Sequence, residues 1–273
     1  MKKFIIAAAL SAGLIGSLHA SAGGDLILGF NATGGTGAGT NLEIDLGAIS
    51  NFELGTASGT TDIVNLLDSS AVGVGNTLDS LYGSNWATRS DLTWGVAGTV
   101  GNVTSTGPNG EPAKTLWLSA AADGSALDGN SSSTPLLGTA NALAGGASQK
   151  INTIYANFPG SATTIANTTP GSWTVQEGTG SKVWNSVYAR SQFENNTNIA
   201  GNNGNYVASD LYDIAPTLNQ AGSFLGTFAI NNSGEVTFTA AGAAIPEPTT
   251  YAAFIGLGAL GFSIIRRRRQ VAA

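Results

Sequence analysis

The sequence predicts an α+β fold that is mainly antiparallel β, sandwich or barrel-like, with two to four helices packed against it. Three observations support this prediction: stretches of alternating apolar and polar residues, turn sequences between them, and a few stretches with helical spacing. The composition agrees, because 38 glycines and only 10% charged residues suit strands and turns better than a helical bundle. The chain shows no repeat of fixed period, which disfavours a solenoid or a propeller.

The first predicted hairpin lies near the start of the domain. Residues 42–46 alternate between apolar and acidic side chains, which indicates a strand with one buried face. Residues 25–31 carry large apolar side chains at alternate positions, and we expect them to pair with that strand across the turn at residues 34–39. This glycine-rich turn lacks the spacing of a dinucleotide-binding loop, and a strand follows where that fold needs a helix.

A second hairpin and two more strands are predicted downstream. Residues 224–230 and 235–239 flank Asn231-Asn232-Ser233-Gly234, a sequence typical of a hairpin turn. Residues 93–100 and 116–118 are predicted to be further strands of the same core.

Helical spacing occurs in three places. Apolar residues at 151, 154, 155 and 158 follow the i, i+3, i+4, i+7 pattern, so a helix is predicted within residues 140–158, ended by Pro159-Gly160. Shorter helices are predicted at residues 78–82 and 183–188. Long loops are expected at residues 104–112, 123–135 and 195–205.

The N-terminus has the three parts of a secretory signal peptide. Lys2 and Lys3 precede an apolar run, and Ala20 and Ala22 supply the small residues of a cleavage site. We therefore divide the chain into a signal peptide at 1–22, a β-rich extracytoplasmic domain at 23–244 and a C-terminal tail at 245–273. A retained N-terminal anchor is the alternative.

The tail also consists of three parts. Pro246-Glu247-Pro248 holds the backbone extended, because proline fixes φ and removes a backbone donor. An uncharged run at 251–265 follows, and as a helix it would be about 22 Å long, short of the roughly 30 Å hydrocarbon core. The cluster Arg266, Arg267, Arg268 and Arg269 then belongs in the cytoplasm by the positive-inside rule. A plain single-pass anchor would share the last two parts.

In this order and position, the three parts resemble the PEP-CTERM sorting signal of exopolysaccharide-producing Gram-negative bacteria. The resemblance implies export by the secretion machinery, transient insertion of the tail in the inner membrane, and tail removal at or near Pro-Glu-Pro by an exosortase, a membrane-embedded cysteine protease. The product would then reach the cell surface or the extracellular space. Residues 82–86, 89–96, 24–30 and 225–228 are similar to one group of such proteins, and no activity of the group comes with that similarity.

The mature chain lacks the residues of most familiar active sites. His19 is the only histidine and lies in the signal peptide, and the chain contains no cysteine. Neither a Ser-His-Asp triad, a Cys-His dyad nor a zinc site of the usual ligands can be built without them. The sequence therefore predicts no enzyme, no cofactor and no metal. Asp123 and Asp128-Gly129-Asn130 offer oxygen ligands for calcium, but without the spacing of an EF-hand loop.

The charge of the domain narrows its partners. Residues 23–245 contain sixteen acidic and five basic side chains, for a formal charge of −11. Such a charge disfavours nucleic acid and anionic membrane surfaces as partners. It is compatible with neutral glycans such as exopolysaccharide, with cations and with other matrix proteins.

These observations favour an exported cell-surface or extracellular-matrix protein with a non-enzymatic structural or adhesive role. One alternative is a glycan-binding module in which exposed tryptophans form a sugar-stacking platform. Tryptophans in such a domain are, however, expected in the core. The five tryptophans are Trp86, Trp94, Trp117, Trp173 and Trp184. The other alternative is a carbohydrate-active enzyme that works through two carboxylates. Its candidate residues are Asp91, Glu177, Asp210 and Asp213.

We predict that signal peptidase cleaves after Ala22, because Ala20 and Ala22 supply the small side chains that the enzyme requires. N-terminal sequencing of the exported protein should begin at Gly23. A first residue of Met1 would show instead a retained N-terminal anchor.

Overall fold

The computed structural model describes most of the predicted extracytoplasmic domain. The described residues are 24–53, 60–65, 77–101, 106–122, 127, 130–158, 162–178, 188, 190–202 and 204–242. The predicted signal peptide, the sorting tail and the predicted helix at 183–188, apart from Tyr188, lie outside them.

Ten strands and four α-helices are assigned in this part of the chain. The strands are β1 (Asp25–Ala32), β2 (Thr40–Ala48), β3 (Thr60–Asn65), β4 (Leu92–Thr99), β5 (Leu116–Ala121), β6 (Ala162–Ala166), β7 (Asn195–Asn196), β8 (Tyr206–Ile214), β9 (Ser223–Asn231) and β10 (Glu235–Ala240). The helices are α1 (Thr77–Tyr82), α2 (Asn141–Ala156), α3 (Trp173–Gly178) and α4 (Arg190–Phe193), with 3-10 turns at Ile49–Asn51 and Trp86–Thr88.

All ten strands belong to one antiparallel sheet. Nine of them follow the order β3-β10-β9-β8-β5-β4-β1-β2-β6, and β7 pairs with β4. The sheet bends into a half-barrel. Contacts across its concave side show the bend: the ring centroid of Phe52, which follows β2, lies 5.5 Å from that of Phe228 in β9 and 5.2 Å from that of Phe238 in β10. The mainly antiparallel fold with a few helices is therefore confirmed. A two-sheet sandwich is not formed, since one continuous sheet curves over its own core.

Both predicted hairpins are confirmed. β1 and β2 pair antiparallel across the glycine-rich turn, and β9 and β10 pair across Asn232-Ser233. The prediction that the strand at residues 42–46 has one buried face was wrong, because Glu43 is buried as well as Leu42 and Ile44. In β1 too, both faces are covered. Leu28 and Phe30 face the concave core, while Ile27 packs in a second core with residues of α2 and α3. Helices cover the convex face, so the alternate side chains of β1 are buried as well.

The helix predicted within residues 140–158 is confirmed as α2, and the short helix at 78–82 as α1. α2 buries Ile151, Ile154 and Tyr155 on its sheet-facing side. The prediction of a loop throughout residues 195–205 was wrong at its start, where β7 pairs with Thr93 and Trp94 of β4. No helix in the described ranges is long and apolar enough to cross a membrane. The predicted span at 251–265 lies outside those ranges.

Trp173, the first residue of α3, lies directly on the sheet. Beneath its ring is Gly29 of β1, whose cross-strand neighbour in β4 is Gly95. A Cβ atom built on Gly29 would overlap the Trp173 ring. The absence of a side chain at Gly29 therefore sets how closely the helical layer approaches the sheet.

We predict that Gly29→Ala lowers the free energy of unfolding by about 2 to 3 kcal/mol, because the added methyl group overpacks the contact with Trp173. Gly39→Ala is the matched control, since a Cβ at Gly39 meets no atom within 4 Å. Denaturant unfolding of the purified variants checks this. Equal stability of the two variants would contradict the role given to Gly29.

Candidate functional site

Asp91, the first of the four candidate carboxylates, forms an ion pair with Arg89. Arg89 donates from Nε and one terminal nitrogen to the two Asp91 oxygens, at 2.9 and 2.8 Å. The same guanidinium donates to the carbonyls of Gly34 and Tyr82 at 2.6 and 2.8 Å. The hydrogen bonds from Arg89 to the Asp91 carboxylate, together with the Arg89 charge, hold the Asp91 pKa below its usual value. Asp91 thus helps to fasten the β1–β2 turn to the segment before β4.

Asp210 is fully buried in β8 and anchors a loop. One of its oxygens accepts hydrogen bonds from the backbone N–H groups of Ser132 and Ser133, both at 2.8 Å, and its other oxygen accepts one from Thr227 Oγ1 at 2.7 Å. Glu177 is also fully buried, in α3. Neither carboxylate faces open solvent, so neither meets the access that a two-carboxylate hydrolase requires.

Asp213 belongs to a group of three carboxylates, Glu53, Glu111 and Asp213, which we call the acidic group. Burial and the neighbouring Glu111 raise the pKa of Glu53 from 4.5 to about 7. The same two causes raise the pKa of Asp213 from 3.8 to about 6. Asn109 holds the group together by donating from its side chain to Glu53 and from its backbone N–H to Glu111 at 3.0 Å.

Two further buried carboxylates, Glu43 and Glu194, were not among the candidates predicted from the sequence. Trp173 donates its backbone N–H to Glu43 and its indole N–H to Glu194, both at 2.5 Å. Burial raises the pKa of Glu43 from 4.5 to about 8, and the Trp173 N–H partly opposes this rise. Alternation in β2 had placed Glu43 on a solvent face. No local signal shows that Trp173 covers it, because the two residues are 130 positions apart.

Three cavities that could hold a ligand lie among the described residues. The one between β5, α4 and the β8–β9 connection has a volume of about 580 Å³ and an uncharged lining that includes Ser133, Leu137, Tyr188 and Leu218. A second, of about 570 Å³, is lined by Glu194 as its one carboxylate, and a third, of about 250 Å³, is lined mainly by asparagines. None of the three is lined by two carboxylates.

The tryptophans that the structure describes belong to the core. Trp86, Trp94, Trp117 and Trp173 are each exposed by 2% or less. A sugar-stacking platform built from these four is therefore wrong, and Trp184 lies outside the described residues. Within the described ranges, no group of three or more potential ligands is arranged to hold a metal ion. Of the possible calcium ligands at Asp123 and residues 128–130, only Asn130 is described, so the structure does not test this segment.

The remaining predicted site residues lie in the tail and the leader. Pro246, Glu247, Pro248, the four arginines at 266–269, Ala20 and Ala22 are all outside the described residues. Their roles in sorting and signal cleavage stay predictions.

A comparison with known families bears on the tail directly. Residues 244–269 match the PEP-CTERM protein-sorting motif. The chain carries an exosortase sorting signal. The match spans Pro-Glu-Pro, the apolar run and the arginine cluster, in agreement with the tail assigned from sequence. The PEP-CTERM motif indicates an exported protein that exosortase sorts through its C-terminus. No curated protein and no solved structure matches the chain.

We predict that the melting temperature falls as the pH rises from 5 to 8, and that Glu53→Gln reduces this fall by a few degrees. The folded pKa of Glu53 is raised, so the folded state binds its proton more tightly. The stability from this proton is present below pH 4.5 and is lost as the pH rises towards about 7. Glutamine stays neutral throughout.

Asp79→Asn is the control for this measurement, because it removes one negative charge at an exposed position. Thermal unfolding at several pH values should give wild type and Asp79→Asn similar pH dependences. An unchanged pH dependence in Glu53→Gln would show that the acidic group is not the cause.

Proposed function

We propose that the chain is an exported cell-surface or extracellular-matrix protein of an exopolysaccharide-producing bacterium, with a non-enzymatic structural or adhesive role. The observation that carries the proposal is the sorting motif at 244–269, which begins just after the last described residue, Gly242. The folded domain is the cargo, and the tail decides where it is delivered.

The positions of three of the four candidate carboxylates support a non-enzymatic role. Asp91 fastens a turn, Asp210 anchors a loop, and Glu177 is buried. The mature chain, moreover, has no histidine or cysteine to serve as base or nucleophile. A carbohydrate-active enzyme has less support, because no cavity among those described is lined by two carboxylates. A glycan-binding module has less support because the four described tryptophans are buried.

The partners follow from the tail and from the charge. An exosortase-type enzyme would act on Pro-Glu-Pro after the secretion machinery has moved the domain out of the cytoplasm. The cargo would then meet exopolysaccharide and other matrix proteins. A formal charge of −11 over residues 23–245 does not suit nucleic acid, but it keeps copies of the domain soluble at high local concentration.

Each part of the tail has a separate physical task in this proposal. Pro246 and Pro248 keep the backbone extended, so that a protease can bind it as an open strand. The apolar run at 251–265 holds the substrate in the membrane, beside an enzyme that is embedded there. The arginines at 266–269 stop the tail from passing through, because moving them across the hydrocarbon core is costly.

We predict that replacing Pro246, Glu247 and Pro248 with alanine blocks release but not membrane insertion. The apolar run and the arginines remain, so full-length protein should accumulate in the membrane fraction of a host that carries the enzyme. An epitope at the exposed Ser233 turn would allow all forms to be followed.

Replacing the four arginines at 266–269 with glutamine is the companion variant. It removes the charge that holds the tail in place and should let unprocessed protein pass through the membrane. Equal membrane retention of wild type and the alanine variant would contradict the proposed sorting function and favour a plain anchor.

A further inference from the structure

Both ends of the described domain emerge at the same end of the sheet. Gly24 precedes β1 and donates its N–H to Thr99 at the end of β4, at 2.9 Å. Gly242 follows β10, where Ala241 donates its N–H to Leu225 near the start of β9, at 2.8 Å. The β8–β9 connection, residues 215–222, turns at this same end because β8 and β9 are antiparallel. We call this end of the sheet, where Gly24, residues 215–222 and Gly242 lie, the tail end.

The exposed large apolar side chains also gather at the tail end. In the part of the chain that the structure describes, they are Leu137, Leu143 and Leu218, exposed by 49%, 39% and 64%. Leu218 lies in the β8–β9 connection itself. Leu137 forms a bridge with Ala221 of that connection.

Leu143 is placed there by the first turn of α2. Asn141, the first residue of α2, accepts a hydrogen bond from the Lys114 ammonium. Lys114 comes just before β5, whose first residue, Leu116, pairs with the last residue of β8, Ile214. Three leucines from separate segments thus lie at the end of the sheet from which the tail leaves.

The length of the tail brings this end close to the membrane. Eight residues, 243–250, separate Gly242 from the apolar run, and fully extended they reach about 26 Å. The opposite end of the sheet is about 30 Å further along the nine-residue strands β8 and β9. A domain tethered in this way therefore has its tail end nearest to the lipid.

We propose that Leu137, Leu143 and Leu218 form a docking surface that rests on the membrane while the tail is inserted. This inference rests on the proposed function, in which the tail enters the membrane. Exposed leucines gain free energy at the boundary between headgroups and acyl chains, and Lys114 beside them can contact lipid phosphate. The acidic group lies at the same end of the sheet, because Asp213 is the last but one residue of β8, and anionic lipid would repel it.

Docking of this kind orients the domain on the membrane without holding it there permanently. Three leucines and one lysine are a small surface, and the acidic domain as a whole is not attracted to an anionic membrane. The bound state therefore depends on the tail. Once the tail is cut, the domain leaves the membrane, while before the cut the docked domain keeps Pro-Glu-Pro next to the bilayer where a membrane-embedded enzyme can reach it.

The absence of cysteine from the chain makes a direct test possible. Leu218→Cys and Ser233→Cys would each be labelled with an environment-sensitive fluorophore in the full chain, reconstituted in phosphatidylcholine vesicles that contain a lipid-linked quencher. Ser233 is the matched control, because it is exposed in the β9–β10 turn at the opposite end of the sheet. We expect the label at position 218 to lose most of its fluorescence and the label at position 233 to keep it.

Flotation of the vesicles distinguishes a failure of the proposed function from a failure of the docking surface alone. If the full chain does not float with the vesicles, the tail does not insert and the proposed function fails. If it floats but the label at position 218 is quenched no more than that at position 233, the docking surface alone is wrong. Quenching at 218 that appears only when the processing enzyme is added would also overturn it, in favour of a protein contact.

A second variant tests the leucines themselves. Adding Leu137→Ser and Leu143→Ser to the labelled Leu218→Cys chain should restore the fluorescence at position 218 while the chain still floats. Both leucines are exposed, so the change leaves the described cores intact. Unchanged quenching in this variant would show that the tether alone brings position 218 to the lipid.

Discussion

Trp173 joins the two layers of the domain, and the packing of its convex side depends on it. Its ring lies on Gly29, and its two N–H groups bind Glu43 of β2 and Glu194 after α4. One residue of α3 therefore connects the sheet with the segment that follows α4. The arrangement buries two carboxyl groups, which is tolerable because each accepts a hydrogen bond and because the raised pKa of Glu43 favours its neutral form.

On the other side of the sheet, the β1–β2 hairpin is held by hydrogen bonds with Tyr82 and Arg89. Tyr82 of α1 accepts a hydrogen bond at its hydroxyl from the Leu42 N–H and donates to a carbonyl of the same hairpin, at Phe30. Arg89 fastens the turn of that hairpin through its carbonyls. These residues belong to the block that resembles one group of PEP-CTERM proteins. In this structure their contacts are structural: they hold α1 and the segment before β4 against the β1–β2 hairpin.

The parts of the fold that depend on local sequence patterns were predicted correctly. The parts that depend on contacts between distant residues were not. Both hairpins and α2 were predictable, because alternation, turn residues and helical spacing are properties of neighbouring residues. β8 was missed, since Asp210 and Asp213 interrupt its apolar pattern. The solvent face assigned to Glu43 was wrong because Trp173, 130 positions away, covers it. The same limit explains why the candidate carboxylates could not be sorted into structural and accessible ones.

The sequence by itself determined how this protein is sorted. The PEP-CTERM tail is recognised as a linear segment, so residue order and hydropathy are enough to identify it. Tertiary structure alone decided which carboxyl groups are buried, why four tryptophans cannot stack on sugars, and that both ends of the described domain share one end of the sheet with three exposed leucines. The physical reason is that burial and proximity arise from contacts between distant segments, which exist only after the sheet has curved.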